Sequence, residues 1–356
     1  MYSVIWCLGG IGVDFGWSST RQEAVTLLKS TGTLTLTTAL RTSGNTATLK
    51  SGEIPVRGAS LSFIEVEPQI LAFRRMVRDL AYDVCELAPT TYIIAKAYGA
   101  PFTALPIFFE RRFHHAGLLV RPDAGIQEPK DLEGKKVGVR AYSVTTGVWT
   151  RGILVNEFGL DSSKVTWVVD DEEHVTQLKL PPNVEHVPEG KSLASMMASG
   201  EIQAGFAANA GIGREGPPKA GWQAKEHKET STYRELFSDP DGLSAEWFRR
   251  TGIYPMHSTL VIKDDILKAN AWLPQALFDA FQESKERYVH QLRRGESAGK
   301  NDQRYLKQME VVGNDPLPYG LEVNRRSIET LALYAFQQGL IPRRLPIEEL
   351  FVNLNP

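Results

Sequence analysis

Lys136-Val-Gly-Val-Arg140-Ala-Tyr-Ser-Val-Thr-Thr-Gly-Val-Trp149 is a strand, a polar turn and the opening of a helix in fourteen residues. Lys136 to Arg140 alternates Lys, Gly and Arg with Val and reads as a short strand. The apolar spacing then predicts a helix over about Thr145–Phe158, with Gly159 as its stop. Ser143, Thr145 and Thr146 sit where that helix begins. This is the first β/α unit of a second series, because another series has already run upstream.

That earlier series starts at Thr33–Leu40, where Thr alternates with Leu. Leu61–Val66 is a second expected strand. Ile70, Phe73, Met76, Val77 and Leu80 follow at helical spacing, with Arg74, Arg75, Arg78 and Asp79 between them. Tyr82–Leu87 reads as a strand, Thr90–Tyr98 as a helix, and Phe102–Phe109 and Ala116–Val120 as strands. Turn residues at Arg121–Gly125 and Glu128–Gly134 separate the two series. Beyond Gly159 the pattern predicts strands at Val165–Val169, Ile202–Ala207 and Leu260–Ile262, a helix at Leu193–Ser199, and mostly helix from Asp265 on. Residues 209–232, rich in Gly, Pro and Lys, read as a loop.

The expectation is an α/β protein of two lobes with a ligand cleft between them. Lobe I takes residues 33–115 and 265–356, lobe II takes 116–264, and residues 1–32 form an N-terminal appendage. At 356 residues there is material for each lobe to bury its own core. A formal net charge of −2 and the lack of a Lys/Arg run give no basic field for nucleic acid. Val4–Val13 is too short to span a membrane and lacks preceding basic residues and a cleavage site. No membrane association and a cytoplasmic location are therefore expected. Two cysteines, Cys7 and Cys85, make no disulfide framework and no zinc spacing. Homo-oligomer formation is left open.

Several fragments resemble cofactor motifs and fail. Gly10-Ile-Gly12 has Phe15 where a dinucleotide loop needs glycine, and Gly190-Lys-Ser192 has Glu185 where a phosphate loop needs one. Asp170-Asp-Glu-Glu-His174 is a charge run that reads as a solvated loop rather than a metal site. No cofactor and no metal are expected.

Ligands of open α/β sheets bind beyond the carboxyl ends of the strands. Arg41, Thr42, Ser43 and Asn45 follow the first strand, and Glu86 ends the third, ahead of Thr90. Arg140, Tyr142, Ser143, Thr145 and Thr146 follow the strand of the second lobe. A helix start favours an anion, and an arginine beside it can grip a carboxylate with two parallel bonds. The same hydroxyls can equally serve as helix caps. Glu110-Arg-Arg-Phe-His-His115 crosses between the lobes, and its charges face either a substrate or an interlobe ion pair. His257 lies just before the returning strand and is read either as structural or as functional.

These stretches resemble the 4,5-dihydroxyphthalate decarboxylase family. The resemblance is carried by Tyr82–Leu87, Pro106–His115, Asp131–Val139, Val148–Leu154, Arg250–His257 and Asn314–Asn324, and by the Leu345-Pro-Ile-Glu-Glu-Leu-Phe ending. It runs from about residue 34 to the C-terminus. Three stretches depart from the family pattern: His114 replaces the second arginine of Arg-x-Phe-Arg-His; Arg140, Ala141, Ser143 and Val144 differ around Tyr142 and Thr145; and Asp170-Asp171 replaces a glycine pair.

The resemblance implies the type 2 periplasmic-binding-protein fold and a small aromatic carboxylate as partner. It also implies loss of one carboxylate from 4,5-dihydroxyphthalate, giving protocatechuate and CO2. Each carboxyl carbon is para to a hydroxyl, so protonating the ring lets CO2 leave without a cofactor. Assigned by position, His115 or His257 protonates the ring carbon and Glu86 accepts the phenolic proton. Arg111 and Arg140 hold the carboxylates, with Tyr142, Ser143 and Thr145 beside them. The alternative on the same fold is a solute-binding protein for a small organic anion.

Overall fold

Alternating strands and helices build two sheets in the computed structural model, which describes residues 33–213, 232–296, 299 and 301–354. The expected appendage at 1–32, with Cys7 and Gly10-Ile-Gly12, lies outside the described residues. So does 214–231, most of the loop expected over 209–232. Thr35 onward forms one compact unit.

The first series comprises β1 (Leu34–Ala39), α1 (Gly44–Lys50), β2 (Ala59–Phe63), α2 (Ile70–Asp79), β3 (Val84–Leu87), α3 (Pro89–Ala97) and β4 (Phe102–Leu105). The second comprises β5 (Leu118–Val120), β6 (Lys136–Gly138), α4 (Thr145–Phe158), β7 (Thr166–Val169), β8 (Val184–His186), α5 (Leu193–Ser199), β9 (Ala204–Phe206) and β10 (Arg234–Glu235). The chain ends through α6 (Pro240–Thr251), β11 (Thr259–Lys263), α7 (Asp264–Ala269), α8 (Leu273–Arg293), α9 (Asp302–Val312), α10 (Arg325–Gln337) and α11 (Ile347–Leu350).

The first sheet has strand order β2-β1-β3-β11-β4, and the second β10-β5-β9-β6-β7-β8. β1 and β3 are parallel, and β11 inserts antiparallel between β3 and β4. β9, β6, β7 and β8 run parallel, while β5 lies antiparallel to both β9 and β10. Because Thr259–Lys263 pairs with Val84–Leu87, it belongs to the first sheet. The sequence reading had placed it in lobe II; the chain returns before Thr259.

The second series buries a small cluster of its own around Val168, Leu193 and Met197, but the main core is shared by the two sheets. One cluster of buried side chains includes Cys85, Leu87 and Val261 of the first sheet and Val137, Trp167 and Phe206 of the second. Helix α4 makes this possible. Every residue from Thr145 to Leu154 is buried, so the helix is covered on all sides rather than amphipathic. It packs between its own sheet and α10. Trp149 meets the ring of Tyr334 edge-on at 5.7 Å, and Gln338 binds both Arg151 Nε (2.8 Å) and the Val148 carbonyl (2.9 Å).

Gly152 is what lets α10 come so close. A Cβ there would lie 2.0 Å from the Tyr334 ring, well inside contact distance. Gly152→Ala should therefore lower stability by about 1–3 kcal/mol through overpacking. Thermal denaturation checks this; an unchanged Tm would mean the α4–α10 contact yields without cost.

Candidate functional site

Two chain crossings join the sheets, and they pair with each other. Arg111 and Met256 form an isolated antiparallel bridge. The His257 amide donates to the Glu110 carbonyl at 2.8 Å, and the Arg112 amide to the Pro255 carbonyl at 3.4 Å. Extended backbone sends successive side chains to opposite sides. Arg111 accordingly enters the core, while Glu110 and Arg112 line a cavity of about 720 Å³ together with His257. That volume suits a small organic ligand.

The floor is the start of α4. Ser143, Val144, Thr145 and Thr146 all line the cavity. The helix N-cap is Val144, with no side-chain cap, so the capping role open to Ser143 and Thr145 is not used. The Thr145 hydroxyl instead meets that of Thr90 at 2.6 Å, and Thr90 also donates to the Ser143 carbonyl at 2.9 Å. An uncapped helix start facing a cavity favours an anion.

Cations surround the rest. Arg41 and Arg304 reach Glu110 from two sides at 3.2 Å each. Arg140 pairs with the buried Asp171 at 2.7 Å and donates from Nε to the Asn209 carbonyl at 2.9 Å. Lys307 pairs with Asp241 at 2.6 Å. Arg112 differs: it makes no salt bridge to a described residue. Its Nη2 donates to Thr146 Oγ1 at 2.9 Å and to His257 Nε2 at 2.7 Å, and its Nε is buried without a partner.

Burial opposes ionisation of Glu110, but the guanidinium groups of Arg41, Arg112 and Arg304 around it outweigh that and hold the carboxyl well below the usual range. Burial, then Arg112, holds the His257 imidazole well below its ordinary value. His114 shares both causes in the same order. It stacks on Trp149, with centroids 6.3 Å apart and planes 7° off parallel, and lies 5.5 Å from the His257 ring. Both histidines line the cavity as neutral rings at neutral pH, each with one buried, unpartnered nitrogen: Nε2 of His114 and Nδ1 of His257.

Of the residues expected at the site, Arg140, Ser143, Thr145 and His257 come together on the cavity wall. Four do not. Arg111 is fully buried, donating to the carbonyls of Tyr254 (2.8 Å) and Pro318 (3.0 Å) and to Asn324, with its guanidinium about 5 Å from the Phe108 and Tyr254 rings. Burial lowers its pKa to about 10. His115 is turned to Ser244 (3.0 Å) and packs edge-on against Trp247; burial lowers it to about 4. Glu86 is buried behind the wall, where its carboxylate holds Arg41 at 2.5 Å. Tyr142 lies under the Arg151 guanidinium, 4.0 Å away.

Arg112, His114, Glu110, Arg41 and Arg304 line the cavity instead. The Asp170–His174 run is not a solvated loop either. Asp171 bridges Arg140 to Arg74 of α2 (2.9 Å), and Glu172 pairs with Arg78 of α2 at 2.8 Å. No group of three or more His, Cys, Asp or Glu among the described residues is arranged to hold a metal ion. No helix among them is long and apolar enough to cross a membrane.

Two sheets joined by paired crossings, with an anion-suited cavity at the join, define a periplasmic-binding-protein-like fold. The family described as "ABC transporter, phosphonate, periplasmic substrate-binding protein" matches residues 64–214. A periplasmic sulfonate-binding protein from Methylobacillus flagellatus superposes with a TM-score of 0.54 at 13% identity, covering 90% of this chain and 92% of that one. The aliphatic sulphonate binding protein of Escherichia coli gives 0.51 at 14% identity, covering 90% and 98%.

Closer in sequence is the 4,5-dihydroxyphthalate decarboxylase of Comamonas testosteroni, 32% identical over 85% of this chain and 92% of its own. The Pseudomonas putida protein of the same name is 35% identical over 56% of this chain and 76% of its own. The chain belongs to the 4,5-dihydroxyphthalate decarboxylase family, a family of carboxy-lyases.

Neighbouring arginines should behave in opposite ways. Arg111→Met takes the donor from the Tyr254 carbonyl and Asn324 Oδ1, while the Pro318 carbonyl keeps its bond from Asn324 Nδ2, and should cost about 3 kcal/mol or more in stability. Arg112→Gln should leave the melting temperature within a few degrees of the parent while weakening anion binding at least about tenfold. Thermal melts and phthalate titrations of both variants check this; matching Tm losses would show that Arg112 is structural too.

Proposed function

We propose that this protein removes one carboxylate from 4,5-dihydroxyphthalate, giving protocatechuate and CO2, with its own side chains as the acid and the charge clamps. The observation that carries the reading is Arg112, a cavity-lining guanidinium with no carboxylate partner among the described residues and a vacant buried Nε. A buried cation left unpaired is costly unless a ligand completes it. Family membership supports the chemistry, and the uncapped start of α4 beside Arg140 offers a second anion position.

The cavity lining supports the following division of labour. Arg112 grips one carboxylate, and the α4 amides with Arg140 take the other. His257 delivers a proton to the ring carbon bearing the carboxylate that leaves. The para hydroxyl stabilises the resulting cation by donating electron density, and the ionised Glu110 accepts its hydrogen bond. The C–CO2 bond then breaks and its electrons restore the aromatic ring. Glu110 replaces Glu86 as the acceptor, because Glu86 does not line the cavity. A cytoplasmic site of action is part of the same proposal.

Incubation with 4,5-dihydroxyphthalate, followed by CO2 release and the change in aromatic absorbance, tests the reading. Turnover is expected, and Arg112→Gln should lower kcat/KM by about 10²–10³-fold. Tight binding with the compound recovered unchanged would make the protein a solute receptor instead.

A further inference from the structure

His257 is asked to give up a proton that it does not hold in the free protein. Its Nε2 accepts from Arg112 Nη2 at 2.7 Å, so that nitrogen carries no hydrogen. Every charged element around it bears on its state. On its own crossing partner stand Glu110, Arg112 and His114; Arg41 follows β1, and Arg304 projects from α9. Burial and the three arginines keep the imidazole neutral, with Glu110 alone opposing them.

The bond that silences His257 is also the bond a ligand would break. Arg112 uses Nη2 for both Thr146 and His257, while Nε beside it has no partner. A carboxylate that binds a guanidinium through two parallel bonds along this edge needs Nε and Nη2 together. It therefore competes for the nitrogen that His257 now accepts from. Once Nη2 turns to the carboxylate, His257 Nε2 faces a negative group instead of a donor. A nearby opposite charge moves a pKa by about 1–3 units toward the charged form.

Resting on the decarboxylase reading, we propose that the Arg112–His257 hydrogen bond is a proton lock opened by the substrate carboxylate. The carboxylate takes the Nε–Nη2 edge of Arg112, and His257 Nε2 takes up one proton from solvent. Turnover consumes it: the imidazolium returns to imidazole as the ring C–H bond forms, and the C–CO2 bond breaks to release CO2. The pH consequence has a definite sign. The histidine pKa is low in the free protein and raised in the complex, so binding between those two values takes up a proton. Affinity strengthens as pH falls through that window and levels off below the free value.

Calorimetric titration of the full chain with phthalate, which has both carboxylates but no hydroxyl, isolates this step from chemistry. Run at several pH values from neutral downward in pairs of buffers of different ionisation enthalpy, it should show proton uptake that grows toward one per phthalate bound as pH falls into the window between the two histidine values. His257→Gln, whose amide oxygen can still accept from Arg112, should bind phthalate with that uptake lost. Phthalate binding without proton uptake by the parent protein overturns the lock and leaves the decarboxylase reading standing, as does undiminished uptake in His257→Gln. Failure to bind both phthalate and 4,5-dihydroxyphthalate overturns the lock together with the reading it rests on.

Discussion

The pairing of the two crossings, Arg111 against Met256, fixes everything that matters about the site. Antiparallel contact sets the register, and register sets which side chains face the cavity. Shift either crossing by one residue and Arg111 would enter the cavity while Arg112 entered the core. The core is built to prevent that. Arg111 finds three hydrogen-bond acceptors and two aromatic rings there, without which a buried guanidinium is untenable. This anchoring holds Arg112 and His257 side by side.

A second set of contacts joins the lobes on the opposite wall. Asp171 accepts from Arg140 of the second lobe and Arg74 of the first. Arg78 reaches the Glu172 carboxylate and the Glu173 carbonyl, and Thr90 ties α3 to the start of α4. With a core that runs through both sheets, these contacts make the cleft a fixed cavity more than a pair of hinged jaws. Fixed dipoles and charges suit chemistry, because they need no rearrangement when charge develops in the substrate.

Much of this was legible in the sequence, for identifiable reasons. Helix α4 falls on its expected bounds because a glycine stop and a polar start both mark it. Arg140, Ser143 and Thr145 were legible because strand ends point at clefts in open sheets, and His257 because it lies just before the returning strand, at the second crossing. The choice between Arg111 and Arg112 was not legible. Both lie in one charged run, and only the bridge to Met256 assigns their faces. Arg304 gave no local signal, since it reaches Glu110 from a helix far along the chain. Glu86 and Glu110 are alike in sequence terms; the fold buries one behind Arg41 and leaves the other on the wall. The acidic run at 170–174 read as solvated because its arginine partners on α2 lie almost a hundred residues upstream.

Charge balance explains why such a site would hold its histidine neutral when empty. Among the charges that act on His257, Arg41, Arg112 and Arg304 face Glu110 and, behind it, Glu86, which leaves one positive charge in excess beside the ring. In a cavity walled by protein that excess acts with little screening, and it falls on the group that can most easily shed a proton, the His257 ring. A dicarboxylate reverses the sign, leaving one negative charge in excess, and a single imidazolium restores neutrality. His114 fits the same balance. As a neutral ring stacked on Trp149 it spares His257 a further cation 5.5 Å away. A permanent charge at that position would oppose protonation even with ligand bound, so a neutral ring there suits a site that gains its proton only when substrate arrives.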